Sequence, residues 1–231
     1  MILSVHIADI GVRAALGVLR RPPDPGAVPG ARYLATAIAA PLSASVLPAP
    51  QIGRVGLIGA WDGDEALDDF LAGHDLAKRL GAGWRVRLEP LRAYGAWPAL
   101  PDLPDREHPV ADDEPVAVLT LGRLRIPRAV PFLRASASAE GQAVIDPALL
   151  ASTALARPPA LVATFSLWNS ATAMRAYAQG ESGGAHLAAV RAHRARAFHH
   201  ESVFVRFRPY AAQGKWDGRE PLAKATVTAS G

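Results

Sequence analysis

A run of strand-like residues ending in tryptophan occurs twice in this chain, as Val55-Gly-Leu-Ile-Gly-Ala-Trp61 and Val162-Ala-Thr-Phe-Ser-Leu-Trp168. Self-similarity of this kind constrains a fold more tightly than composition does. At equal offsets after each tryptophan stand Ala66 and Ala173, Leu67 and Met174, Phe70 and Tyr177, then Gly73 and Gly180. Each copy next offers a histidine, His74 and His186, followed three residues on by Ala77 and Ala189. The copies also close alike, because Pro90, Ala93, Gly95 and Trp97 share their spacing with Pro209, Ala212, Gly214 and Trp216. Bracketing tryptophans lie 36 residues apart in the first copy and 48 in the second, so the second is elaborated around His186.

Local patterns fill in the repeating unit. Leu3, Val5 and Ile7 alternate with polar or small residues, which predicts a half-buried strand, and Gly11 to Arg20 reads as a helix. Tyr33 to Ala39 and the run after Arg54 predict two more strands, and Pro22 to Pro29 a loop. Asp62 with Glu65 three residues on resembles a capping box for a helix from Glu65 to Leu80. In the second copy Val116 to Leu121 and Ser202 to Arg208 predict strands. Ser170 is a candidate N-cap for a helix from Ala171, broken at Gly183-Gly184 and resumed from His186 to Arg196. Between Trp97 and Val116, five prolines alternate with six acidic residues, the signature of a connector. The expected architecture is therefore α+β: two fused ferredoxin-like βαββαβ repeats, residues 1–97 and 116–231, joined by a linker at 98–115. Packed sheet against sheet, they would form the barrel-like arrangement of a dimeric α+β fold within one chain.

Charge and cysteine content narrow the chemistry. Residues 116–231 carry 14 basic and 6 acidic side chains against 10 and 9 in residues 1–97. The excess suits an anionic cofactor or membrane surface as readily as a merely basic exterior. Nucleic acid is not expected, since zinc-finger spacing, RNP-like aromatics and a Lys-rich tract are all missing. With no cysteine, disulfides and thiolate-ligated metal or haem are excluded. The opening residues lack a secretory pattern and no apolar run approaches a spanning helix, so the chain is expected to be cytoplasmic, with peripheral membrane contact.

Few residues offer catalysis. Elbow, zincin and P-loop motifs are missing, and the glycines do not form a dinucleotide fingerprint. On the helix predicted from His186, His193 falls on the same face seven residues on, about 10 Å away at 1.5 Å per residue. Small residues lie between them, leaving room for something flat. A histidine on an apolar stripe is more often a hydrogen-bonded core residue than a ligand, and spacing alone leaves both readings open. Arg206 and Arg208 share one face of the last strand, where they could pair with an anion or simply meet solvent.

Taken together, Ala163-Thr-Phe-Ser-Leu-Trp168, Met174-Arg-Ala-Tyr177, Ala185-His-Leu-Ala-Ala-Val-Arg191, Phe204-Val-Arg-Phe207 and Gly214-Lys-Trp-Asp-Gly218 before Pro221-Leu222 resemble the spheroidene monooxygenase family, the acyclic carotenoid ketolases. The similarity is dense over residues 161–222 and thin before them. It implies a haem-dependent monooxygenase that hydroxylates one carbon of a large apolar substrate twice, the gem-diol losing water to give a ketone. The implied cofactors are haem b and molecular oxygen with an external electron donor. The implied partners are a hydrophobic small molecule and a ferredoxin-type donor. Matching positions are Trp168, His186, Arg206, Phe207 and Trp216. His186 becomes the best axial ligand to the iron and, with Arg206, a catalytic candidate. Trp168, Arg191, His193, Arg206 and Phe207 join it as cofactor-binding candidates, and an apolar cavity is expected only in the second half.

Where the family is expected to read Gly-Trp-Phe-x-Glu-Glu-Leu, this chain has Ala197-Phe-His-His-Glu-Ser-Val203. That departure beside the expected site puts the carotenoid substrate in question more than the oxygenase chemistry. The competing readings are a different haem enzyme acting on a small nitrogenous molecule and a non-catalytic tetrapyrrole- or lipid-binding protein, since fold does not fix function.

Overall fold

In the computed structural model of the protein, residues 1–45, 49–179 and 198–223 are described. Eight strands close one antiparallel barrel: β1 (Ile2–Asp9), β2 (Ala31–Ala40), β3 (Arg54–Trp61), β4 (Trp84–Ala96), β5 (Val116–Leu124), β6 (Leu149–Arg157), β7 (Leu161–Trp168) and β8 (His199–Gln213). Around the barrel their order is β1-β3-β2-β6-β7-β5-β8-β4. Each half contributes four neighbouring strands in the ferredoxin-like order fourth, first, third, second, and the halves join where β2 meets β6 and β4 meets β8.

The seams are related by symmetry down to single residues. Across β4 and β8, Leu88 faces Pro209 and Pro90 faces Phe207. Gly95 and Gly214 both have positive φ, 88° and 85°. An added Cβ would lie 2.3 Å from the Ser202 carbonyl oxygen at the first and 2.0 Å from that of Gly83 at the second. Only glycine suits such a backbone so close to the opposite strand. Trp61 ends its ladder opposite Ile2, and Trp168 opposite Val116. Each tryptophan then packs on the aromatic residue nine positions on, Phe70 at 4.8 Å and Tyr177 at 5.0 Å between ring centroids.

Alternation in the strands sorts side chains into an inner layer and two outer ones. Leu3, Val5, Leu88, Leu119, Phe165 and Phe207 fill the barrel, as an eight-stranded barrel's narrow interior requires. Over the first half lie α1 (Val12–Arg20), α2 (Asp64–Gly73) and α3 (Asp75–Leu80); over the second lie α4 (Ala129–Val144) and α5 (Ala171–Gln179). Leu57, Trp61, Leu67 and Phe70 form the first outer core, and Val118, Ala143, Trp168 and Met174 the second.

Several local expectations are revised. The helix predicted from Glu65 to Leu80 is two helices, divided at His74, whose Nδ1 caps α3 by accepting from the Leu76 amide at 3.1 Å. Asp62 makes no capping box, because its carboxylate is drawn to Arg32 at 2.6 Å; Gly63 precedes α2 instead. Ser170 does cap α5, accepting from the Ala173 amide at 3.2 Å. β8 begins at His199, three residues before the strand predicted from Ser202. Segment 98–115 is tied to the barrel: the Pro104 carbonyl accepts from Ala93, the Leu91 carbonyl accepts from the amide of His108, and Leu100 enters the core.

In the first outer layer the Trp61 indole donates to the Ser4 hydroxyl at 2.9 Å, and that hydroxyl also shares a hydrogen bond with His6 Nε2 at 3.0 Å. Burial, reinforced by Arg85 and Arg87, lowers the His6 pKa from 6.5 to about 3. An unfolded His6 thus binds a proton that the folded one refuses. Its contribution to stability is complete above about pH 6.5 and declines as pH falls towards about 3. Loss of about 2 kcal/mol between about pH 6.5 and about pH 4.5 is expected. Urea unfolding of the parent and a His6→Leu variant checks this: equal pH slopes in the two would refute it.

Candidate functional site

Matched register places His6 and Thr120, Ala8 and Gly122, Leu57 and Thr164, and Gly59 and Ser166 at like positions on the outer faces of the two half-sheets. The first half seals this face: His6, Ala8 and Leu57 are buried, Leu57 completely. In the second half Thr120, Thr164 and Ser166, with Ser202 and Phe204 of β8, are only half-buried. At two of these four pairs a bulky residue gives way to threonine, His6 to Thr120 and Leu57 to Thr164, so the second outer face is a less closely sealed floor than the first. The expectation of a cavity only in the second half is not met, because a cleft lined by Val18, His74, Leu76 and Arg79 lies on the first. The second-half floor, with the hydroxyls of Thr120, Thr164, Ser166 and Ser202 beside the ring of Phe204, offers a flat organic ligand both an aromatic face and polar contacts.

Aromatic residues stand around it. Trp168 is buried, its indole donating to Ser166 Oγ at 3.0 Å. Tyr177 leans on Trp168 and donates to the Ala139 carbonyl at 2.9 Å; burial, with Glu140 and Asp146 nearby, raises its pKa to about 12. Glu140 of α4 is pushed upward by burial, partly offset by the Ser43 amide and the Ser136 hydroxyl. Phe132, also on α4, meets Phe198 at 6.1 Å and the His199 ring at 5.0 Å. The His199 ring lies over Gly122, where an added Cβ would come within 2.6 Å of it. Sequence reasoning missed Thr120, Thr164, Phe132 and Glu140; the only signal was the exchange of His6 and Leu57 for threonines at like positions.

Of the residues singled out from sequence, His186, Arg191 and His193 lie outside the described residues. The described flanks of their segment both rest on this second outer layer, through Met174 and Tyr177 on one side and Phe198 on the other. Trp168 belongs to the layer, but Phe207 points into the barrel and cannot touch a ligand on the outer floor without the sheet opening. Trp216 packs with Trp84 and Phe165 at the barrel core. Arg206 is 7% exposed and pairs with Glu107, and Arg208 pairs with Glu89 at 2.7 Å while donating to the Pro109 carbonyl. An anionic ligand at Arg206 would have to compete with that internal carboxylate. Among the described residues no cluster of three or more His, Asp or Glu side chains could hold a metal ion, although haem needs only one axial ligand from the chain.

No family model matches the chain. It is 29% identical over 190 residues to a spheroidene monooxygenase of Rhodobacter capsulatus, covering 78% of this chain and 76% of that one. With the spheroidene monooxygenase of Rubrivivax gelatinosus identity rises to 33% over 175 residues, 74% of this chain and 66% of the other. The chain belongs to the spheroidene monooxygenase family. A match over 78% of the chain must reach into both halves, wider than the motifs alone indicated. A solved aldoxime dehydratase bound to butyraldoxime, 9% identical, shares the fold at a TM-score of 0.53 over 90% of this chain and 79% of its own. That likeness gives this spheroidene monooxygenase family member a structural neighbour and nothing about its chemistry.

Proposed function

We propose that this protein is a haem-dependent monooxygenase of a large apolar substrate, an acyclic carotenoid being the leading candidate, with His186 as the axial ligand. The observation that carries the reading is the contrast between the sealed outer face of the first half and the half-buried floor of Thr120, Thr164, Ser166, Ser202 and Phe204 in the second. Family membership supports oxygenase chemistry. When bound, haem would supply dioxygen activation, with electrons from an external ferredoxin-type donor. The chain's own part is to seat a flat group on the floor, line it with Phe132, Phe204, Trp168 and Tyr177, and keep water from an apolar substrate. Residues 1–97 and 116–231 are read as diverged copies of one unit, joined through 98–115, with binding retained by the second.

Reconstitution with haem tests this directly. A Soret band that shifts with carbon monoxide is expected, and the reduced holoprotein should convert an acyclic carotenoid to a hydroxylated or keto product carrying oxygen from dioxygen. Failure to form any haem complex would refute the cofactor; a good complex inert towards carotenoids would refute only the substrate.

A further inference from the structure

We infer that the surface from Arg123 to Arg134 docks the protein on an anionic phospholipid bilayer. Among the described residues no helix is long and apolar enough to cross a membrane, so any such contact must be peripheral. A short helical turn, Ile126–Arg128, runs directly into α4, since Ala129 has helical φ and ψ of -57° and -48°. Four-residue spacing within α4 puts Val130 and Arg134 in one stripe, with Pro131 beside it, and Ile126 and Pro127 stand in the turn just before. Ile126 is 64% exposed and Val130 55%. The opposite side faces inward through half-buried Phe132 and buried Ala137 and Ala139.

Charge on this surface has one sign. No acidic residue occurs between Glu114 and Glu140, while Arg123, Arg125, Arg128 and Arg134 fall within the stretch. Arg123 is engaged by Glu201 at 3.0 Å and Arg125 donates to the His199 carbonyl at 3.1 Å. Arg128 and Arg134 have no ion pair among the described residues. Exposed α2 in the first half presents Glu65, Asp68 and Asp69 instead. Protruding aliphatic side chains flanked by arginines are the combination that inserts at a headgroup boundary while the cations meet lipid phosphates. An acidic protein would satisfy the arginines but would leave Ile126 and Val130 without a reason to project. Another basic group, Arg20, Arg21 and Arg79 around a cleft of about 460 Å³, includes Asp75 and lies on the first half. On the function proposed above, docking through α4 would bring the rim of the floor, at Phe132, to the phase in which an apolar substrate dissolves; the surface inference itself stands without that function.

Vesicle flotation of the full chain tests it. Binding is expected to phosphatidylcholine vesicles containing phosphatidylglycerol and not to phosphatidylcholine alone. Arg128→Gln with Arg134→Gln should weaken partitioning on the order of 30-fold. Ile126→Ser with Val130→Ser should weaken it about 10-fold at unchanged charge. Arg20→Gln with Arg79→Gln serves as the control and should bind like the parent, with circular dichroism confirming that all three are folded. Absence of parent binding, or binding that survives both α4 pairs, would overturn the inference. Loss only in the Arg20 and Arg79 pair would move the contact to the first half. Sensitivity to the α4 arginines without sensitivity to Ile126 and Val130 would point to an electrostatic contact with an acidic protein, and would equally overturn docking on a bilayer.

Discussion

A chain with alanine at position 186 is expected to fold, elute and melt like the parent yet develop no Soret band on reconstitution, with haem affinity reduced on the order of 100-fold or more. The reasoning is one of elimination and then of position. Without cysteine, an axial ligand must come from histidine or, less often, tyrosine. Tyr177 is spent on the Ala139 carbonyl and has its pKa raised to about 12, which disfavours the phenolate a tyrosine ligand supplies. His6 is enclosed in the first half by Ser4, Trp61 and Phe70, far from any open face. His200 is exposed at the start of β8. His186 matches the family motif and belongs to the segment whose described flanks rest on the second outer layer. Its sharpest rival is His199, whose ring already lies on that layer over Gly122. Parallel spectra of His186→Ala, His193→Ala, His199→Ala and His200→Ala decide the matter. If His199→Ala alone lost the band, the ligand would be His199; if every variant kept it, axial ligation by these histidines would be wrong.

What could be read from the residues, and what could not, follows from where the information resides. The tryptophan-ended strands were legible because buried aromatic residues at strand ends, Trp61 and Trp168, cannot drift without losing a whole packing layer. Gly95 and Gly214 were legible as a repeated spacing, although their reason, a positive φ against the opposite strand, needed coordinates. β8 runs longer than the predicted Ser202 to Arg208, because its outer end pairs with β4 across the two halves, a long-range contact that no local window contains. α4 escaped notice since its exposed side mixes Val130, Pro131 and Val144 with one charge, Arg134, in place of the row of charges that marks a solvent-facing helix. Most of the floor escaped for the opposite reason: threonine, serine and glycine at strand positions give no chemical signal. Arg206 was singled out as a partner for an anion, and the anion it meets here is Glu107, from a segment read only as a connector.

Replacing Thr164 with leucine is expected to abolish haem binding, by a factor on the order of 100 or more, while leaving the fold intact. Thr164 and Leu57 stand at matched positions, four residues before the tryptophans, each opposite the corresponding residue of the first strand of its half. In the first half Leu57 is fully buried and helps close the space between sheet and helices. Thr164 is half-buried and faces Thr120, so this position is less tightly sealed than its counterpart. A leucine there would supply the bulk that the second half lacks and occupy the volume a planar ligand needs. Because the position is only half-buried, the larger side chain is expected to change stability by no more than about 1.5 kcal/mol in either direction. The reciprocal exchange separates this from a general packing effect. Leu57→Thr removes a buried aliphatic side chain and buries a hydroxyl, so it should cost about 2–4 kcal/mol while haem bound per folded molecule stays unchanged. The two variants therefore move opposite observables: one loses ligand and keeps stability, the other loses stability and keeps ligand. Thermal melts and haem titrations on both, beside the parent, read the difference. A Thr164→Leu protein that bound haem as tightly as the parent would show that the ligand does not sit on the second outer face, whatever residue ligates the iron.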